Sequence, residues 1–177
     1  MFDGHSGSEV AQFLSQNFTR TLVKLPEYKH RRYEDALLKA FQSLDQSLSS
    51  EKYAWHAGST ACVVLLTPET LYCASCGDSR CVASSQAQPV VQMSIDHKPD
   101  LPVEAKRIEQ AGFYIDNNRI MGRLAMSRCF GDFEYKANKK KGVICLPDIC
   151  AIERQGLVFA IVASDGLWDC LSSLQCV

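Results

Sequence analysis

This chain has no marked excess of acidic or of basic residues. Nineteen basic residues stand against twenty acidic ones, for a formal net charge of −1. Nothing in that balance favours nucleic acid or an anionic membrane surface as a partner. The single basic run is Lys136 to Lys141. Long apolar runs are also missing: none reaches the roughly 18 residues of a membrane span. An acidic residue at position 3, with no hydrophobic region after it, argues against reading the N-terminal stretch as a secretion signal. A second CxxC is missing as well. Cys73-Ala74-Ser75-Cys76 stands alone, and a zinc site of that kind needs two such pairs.

What is present fits one soluble domain. The chain has 177 residues, 46% hydrophobic and 22% charged, enough to bury a sizeable core. Nine cysteines form an odd set at irregular spacing. Cys62, Cys73, Cys81 and Cys145 sit inside apolar runs and read as buried free thiols of a reducing, intracellular compartment, cytoplasmic or nuclear.

The hydrophobic period divides the chain. Ser6-Gly7-Ser8-Glu9 matches a capping box with Ser6 as N-cap. Val10, Phe13, Leu14, Phe18 and Leu22 then recur at helical spacing, up to Pro26. A second helix is expected over Tyr33 to Leu48. Both have one apolar stripe and should lie on a larger surface. From residue 59 the pattern is of short strands and turns: Ser59–Leu66, Leu71–Ser75, Arg80–Ala83 and Val90–Met93. A short helix, Val103 to Ala111, should end at Gly112. A hairpin is expected around Asp116-Asn117-Asn118, and further strands at Val143–Cys145, Ile149–Ile152 and Leu157–Ala163. A last helix should start near Ser172-Ser173. No repeat, low-complexity tract or linker interrupts this order, so the expected class is α+β, with helices covering an antiparallel sheet system.

Two corners carry chemistry. Phe2-Asp3-Gly4-His5 places a hard oxygen donor, a residue without Cβ and an imidazole in one turn. Leu157 to Ala163 reads as a strand buried on both faces, and it ends in Ser164-Asp165-Gly166, with Trp168 and Asp169 beyond. Two strand-end carboxylates that converge would favour magnesium or manganese over zinc. A metal pair held by shared carboxylates activates water for phosphoester hydrolysis. Two unrelated Asp-Gly turns would give the same residues.

More motifs stand between the corners. They are Gly58-Ser59-Thr60-Ala61, Gly77-Asp78-Ser79-Arg80, and Asp96-His97-Lys98-Pro99 leading to Glu104-Ala105-Lys106-Arg107-Ile108 and Ala111-Gly112. Gly122-Arg123-Leu124-Ala125-Met126-Ser127-Arg128, Gly131-Asp132 and Pro147-Asp148-Ile149 follow. In this order, over essentially all 177 residues, the set closely resembles the metal-dependent protein serine/threonine phosphatases of the protein phosphatase 2C type.

That resemblance implies a sandwich of two antiparallel β-sheets flanked by α-helices, with residues 1–177 forming one catalytic domain that lacks both ends. It implies a two-metal centre of Mg2+ or Mn2+, with a weaker third ion. Asp3 would bridge both metals, Gly4 would offer its carbonyl, and Asp165 would be a ligand. Asp96 would join Asp165 at the third ion, and Asp169 would hold metal-bound water. The nucleophile would be a water between the metals. His5 would be the general acid for the leaving serine or threonine oxygen. The partners implied are phosphoprotein substrates, with no nucleic acid or membrane and a monomeric chain.

Each role has a structural rival. His5 could contact the helix after Ser6, and Asp96 could cap the turn before Pro99. Asp78 and Asp132 read as turn-stabilising residues, Arg80 and Arg128 as partners of buried carboxylates, and the basic run as a solvated loop. Gly usually stands where this chain has Ser6, and another Gly where it has Phe113. The family's upstream phosphate-gripping arginine and metal-ligating glutamate, and its downstream aspartate, are not in this sequence. The alternative is therefore a non-catalytic phosphatase-like binding module or inactive fragment.

Overall fold

The computed structural model describes residues 1–136 and 141–177. Most of the basic run therefore lies outside the described residues. Lys136 is no solvated residue. Its Nζ donates to both carboxylate oxygens of Asp45, at 2.7 and 2.9 Å, and to the Cys129 carbonyl.

The chain opens with a short strand β1 (Gly4–His5), followed by helices α1 (Glu9–Lys24), α2 (Pro26–Lys29) and α3 (Tyr33–Leu48). The two long helices bury the stripes that the period foretells. Val10, Leu14, Phe18 and Leu22 of α1 meet Leu37, Phe41, Leu44 and Leu48 of α3 in one core. The expected capping box does not form. Ser6 takes a left-handed conformation (φ 58°) and Gly7 follows at φ 145°, so both turn the chain into α1. The N-cap is Ser8, without a side-chain bond.

Next come β2 (Gly58–Ser59), β3 (Ala61–Leu66), β4 (Thr70–Cys76), β5 (Arg80–Ser85) and β6 (Val91–Gln92). Helix α4 (Pro102–Gln110), the hairpin β7 (Ile115–Asp116) and β8 (Arg119–Ile120), and β9 (Phe130–Gly131) follow. Asn117 and Asn118, both at positive φ, form the tight hairpin turn that suits the right-handed twist of strands. The chain closes with β10 (Asp148–Glu153), β11 (Leu157–Ala163), α5 (Asp165–Trp168) and α6 (Ser173–Cys176). Ser172 and Gln175 complete a capping box at α6. No strand forms at Val143–Cys145. Ile144 makes one isolated bridge to Arg128, because Val143 is drawn into the small core beside α4.

All sheet pairs are antiparallel. One sheet runs β10-β4-β3 and a second runs β11-β5-β6. Their inner faces share a core of Cys62, Leu71, Cys73, Cys81, Ala83 and Met93. Helices α1 and α3 cover the other face of the first sheet, through Ala61, Ala74 and Cys76. This is the sandwich with flanking helices that the sequence leads one to expect. The strand Leu157–Ala163 departs from expectation. It is not buried on both faces: Val158 is 60% and Phe159 40% exposed. Only Leu157 and Val162 pack into the inter-sheet core, and among the described residues no helix layer covers the outer face.

Candidate active site

Three strand ends meet at one edge of the sandwich. Residues 1–5 run antiparallel to residues 58–62. Met1 O accepts from Cys62 N, Asp3 O accepts from Thr60 N at 2.9 Å, and Gly4 and His5 pair with Ser59 and Gly58. Strand β11 pairs with β5 so that Ala163 faces Arg80. Asp165 therefore emerges beside the β4–β5 turn, Gly77-Asp78-Ser79. That turn needs glycine: Gly77 sits at φ 105°, and a Cβ there would lie 2.7 Å from Thr60 Cγ2. Thr60 Oγ1 contacts Ser79 Oγ at 2.6 Å, which fixes the turn to the strand next to Asp3.

The electrostatics are those of crowded acids. Burial raises the Asp3 carboxyl above its ordinary value, and the charges of Asp165 and then Asp78 add to this, as does a side-chain hydrogen bond with Asp165. Asp78 is buried and receives Lys98 Nζ at 2.5 Å. Burial disfavours the ammonium, but Asp78, Asp96 and Asp165 outweigh that and raise Lys98 above its ordinary value. An Asp3 carboxyl raised by neighbouring acidic charges suits a divalent cation, and the oxygen donors gathered here suit magnesium or manganese better than zinc. Gly4 is exposed at this edge, and a Cβ on it would lie 2.9 Å from Gly7 O.

Asp3 and Asp165 thus come together, with Gly4 between Asp3 and His5 on the same short strand. Asp96 is differently engaged. Arg80 Nε and Nη2 bind its Oδ1 and Oδ2 at 2.9 and 2.7 Å, a two-pronged pairing that uses both oxygens. Arg80 also lies over the Trp168 ring, 5.2 Å from its centroid, and feels the charge of Asp169, which is exposed. Trp168 Nε1 donates to the Ala163 carbonyl at 2.9 Å, clamping the turn that carries Asp165.

Two residues read from sequence as turn formers belong to the site. One is Asp78. The other is Asp132, whose Oδ2 lies 2.5 Å from His5 Nε2. His5 Nδ1 is buried and has no hydrogen-bond partner among the described residues. Asp132 is left-handed (φ 50°) and almost fully buried, and Cys129 Sγ donates to the same Oδ2 at 3.0 Å. Gly58 sits against this pair. A Cβ there would overlap Asp132 Oδ2 and lie 2.6 Å from His5 Nε2. The signal in sequence was the position of Asp132 directly after Gly131, but only the β1-β2-β9 sheet brings His5 to it.

Arg128 and Arg80 do pair with carboxylates. Arg128 binds Glu104 and, at 2.7 Å, Asp148 Oδ1. Asp148 Oδ2 lies 3.1 Å from His97 Nε2, while His97 Nδ1 accepts from Gly77 N. This chain of contacts runs from α4 to the turn that carries Asp78.

A family model for Protein phosphatase 2C matches residues 1–177. "Probable protein phosphatase 2C 2" of Paramecium tetraurelia is 36% identical, covering 99% of this chain and 64% of its own length. "Protein phosphatase 2C homolog 3" of Schizosaccharomyces pombe is 37% identical, over 100% of this chain and 44% of its own length. The chain thus spans roughly half to two thirds of these relatives. Among solved structures, a serine-threonine phosphatase 2C from Toxoplasma gondii superposes with a TM-score of 0.87 at 22% identity, covering 98% of this chain and 69% of that one. A sex-determining protein of C. elegans superposes at 0.79 with 26% identity, covering 97% and 43%. Sequence and fold agree that the chain belongs to the protein phosphatase 2C family.

Proposed function

We propose that this chain carries the central part of a metal-dependent protein serine/threonine phosphatase, which hydrolyses phosphoserine and phosphothreonine. The observation that carries the proposal is the meeting of Asp3 and Asp165 at one edge of the sandwich, with Asp78 close enough to act on Asp3 and Lys98 close to Asp78 and Asp165. Asp3, the Gly4 carbonyl and Asp165 would hold two Mg2+ or Mn2+ ions. Asp78 is the better candidate for an added, weaker ion than Asp96, whose oxygens are both taken by Arg80. Asp169 would serve at the exposed margin. Bound divalent ions supply a water of lowered pKa and neutralise phosphoryl oxygens.

The chain's own residues do the rest. Asp132 holds His5 by Nε2 and fixes the ring. His5 is the proposed general acid for the leaving serine or threonine oxygen. Arg80 and Trp168 fix the turn that bears Asp165. Phosphoproteins are the proposed substrates, acted on by a monomeric chain in a reducing intracellular setting. The nine free cysteines support that setting.

The test is hydrolysis of a phosphothreonine peptide with Mn2+ and with chelator. The 177-residue chain should have little activity, and a chain extended to its relatives' length should be active and chelator-sensitive. Asp165→Asn, folded by circular dichroism, should abolish the activity. An extended chain that is inactive, or indifferent to chelator, would favour the non-catalytic binding module.

A further inference from the structure

We infer a second metal site, for a soft divalent ion such as Zn2+, formed by His5 Nε2, Cys129 Sγ and Asp132 Oδ2. These three donor atoms lie within 4.8 Å of one another. The imidazole and carboxylate are 2.5 Å apart, and the thiol and carboxylate 3.0 Å apart. Donors around a tetrahedral zinc stand about 3.3–3.6 Å apart, given bonds near 2.0 Å to N or O and 2.3 Å to S. The pair contacts need to open by only about 1 Å to admit the ion. The donor set is also the right kind: imidazole with thiolate selects zinc over magnesium, which takes oxygen donors and keeps its water. The acidic cluster at Asp3 and Asp165, all oxygen, has the opposite preference.

The surroundings support a site rather than a chance meeting. Asp132 and Cys129 are buried, and the contacts of the Asp132 carboxylate are the imidazole and the thiol, with no lysine or arginine among its described hydrogen bonds. A cleft of about 420 Å³ reaches His5 and Asp132 from solvent and gives an entry path. It leaves a fourth position open to water or to an anion. Gly58 leaves the space beside the two donors unfilled. On binding, the Cys129 thiol releases its proton to solvent, the proton shared between His5 Nε2 and Asp132 leaves Nε2 for solvent or, in a neutral ring, for Nδ1, and the ion takes the place of both.

The consequence for activity rests on the reading of His5 as the general acid. An ion on Nε2 ties up the ring and detaches it from Asp132, so zinc should inhibit even when magnesium saturates the acidic cluster. Binding itself does not depend on that reading.

The test uses the whole chain, reduced and in excess Mg2+, titrated with Co2+ as a coloured stand-in for zinc and then with Zn2+. The expected result is a thiolate-to-cobalt absorption band in the near ultraviolet at one ion per chain, displaced by Zn2+. The band should vanish in Cys129→Ser and in His5→Gln, and persist in Asp165→Asn. No band in the unaltered chain, or a band that survives both Cys129→Ser and His5→Gln, overturns the site. If Cys129→Ser does not fold, His5→Gln alone decides. A band without zinc inhibition of the extended, active chain upholds the site and overturns the acid role of His5.

Discussion

Replacing Glu104 with glutamine tests how the site is braced. Glu104 is 2% exposed on α4. Its oxygens receive Arg128 Nη2 and Arg107 Nη2 at 2.7 Å each, and Ser127 Oγ at 2.6 Å. Burial disfavours the carboxylate, yet the hydrogen bonds from Arg128, Arg107 and Ser127 outweigh it and bring the group from 4.5 to about 2. The sign follows from proton linkage. The unfolded chain binds this proton more readily than the folded one. The contribution is therefore complete above the unfolded value and is lost as pH falls through the folded one. A gap of about 2.5 pH units at about 1.36 kcal/mol each gives about 3 kcal/mol at pH 7. At pH 3 the same relation leaves about 1 kcal/mol. Urea unfolding of the parent chain and of Glu104→Gln, followed by far-ultraviolet circular dichroism at pH 7 and pH 3, reads both values. A penalty equal at the two pH values would refute the electrostatic account and leave shape as the cause. Because Arg128, Asp148 and His97 link Glu104 to Gly77, the variant should also bind Mn2+ more weakly, measured by calorimetry.

Other outcomes follow from the same geometry. In chelator, Asp165→Asn should melt above the parent chain, because Asp3 is raised first by burial and then by the Asp165 charge. A raised carboxyl costs stability as pH climbs through its folded value, and Mn2+ should raise the melting temperature of the parent chain alone. Gly58→Ala should fold but separate His5 from Asp132, where a Cβ would collide with both. In an extended, active chain it should slow hydrolysis on the order of 10²-fold, the low end of what a general acid contributes; an unchanged rate would remove the pair from the mechanism. Val158→Thr should change unfolding free energy by under about 0.5 kcal/mol, as surface changes do, while Val82→Thr on the adjoining strand should cost over about 1 kcal/mol. Val82 is fully buried and Val158 is 60% exposed; equal costs would mean that the outer face is covered in solution.

Residue pattern alone was enough to place the two long helices, most of the longer strands and the family. Periodic apolar residues have few alternatives, so α3 begins and ends where the spacing of Tyr33 to Leu48 places it. The motifs likewise singled out Asp3, His5 and Asp165, because strand-end Asp-Gly corners are local features. Tertiary structure decided what local pattern cannot encode. That Asp78 acts on Asp3 while Arg80 holds Asp96 with both prongs depends on how the β4–β5 turn meets the end of β11. The exposure of Val158 and Phe159 depends on whether anything packs over them, and among the described residues no helix layer does, since an apolar strand looks the same whether one face or two are covered. The pairing of His5 with Asp132, 127 residues apart, arises only because β2 lies between β1 and β9, so that two turns with no common pattern in sequence share one small sheet.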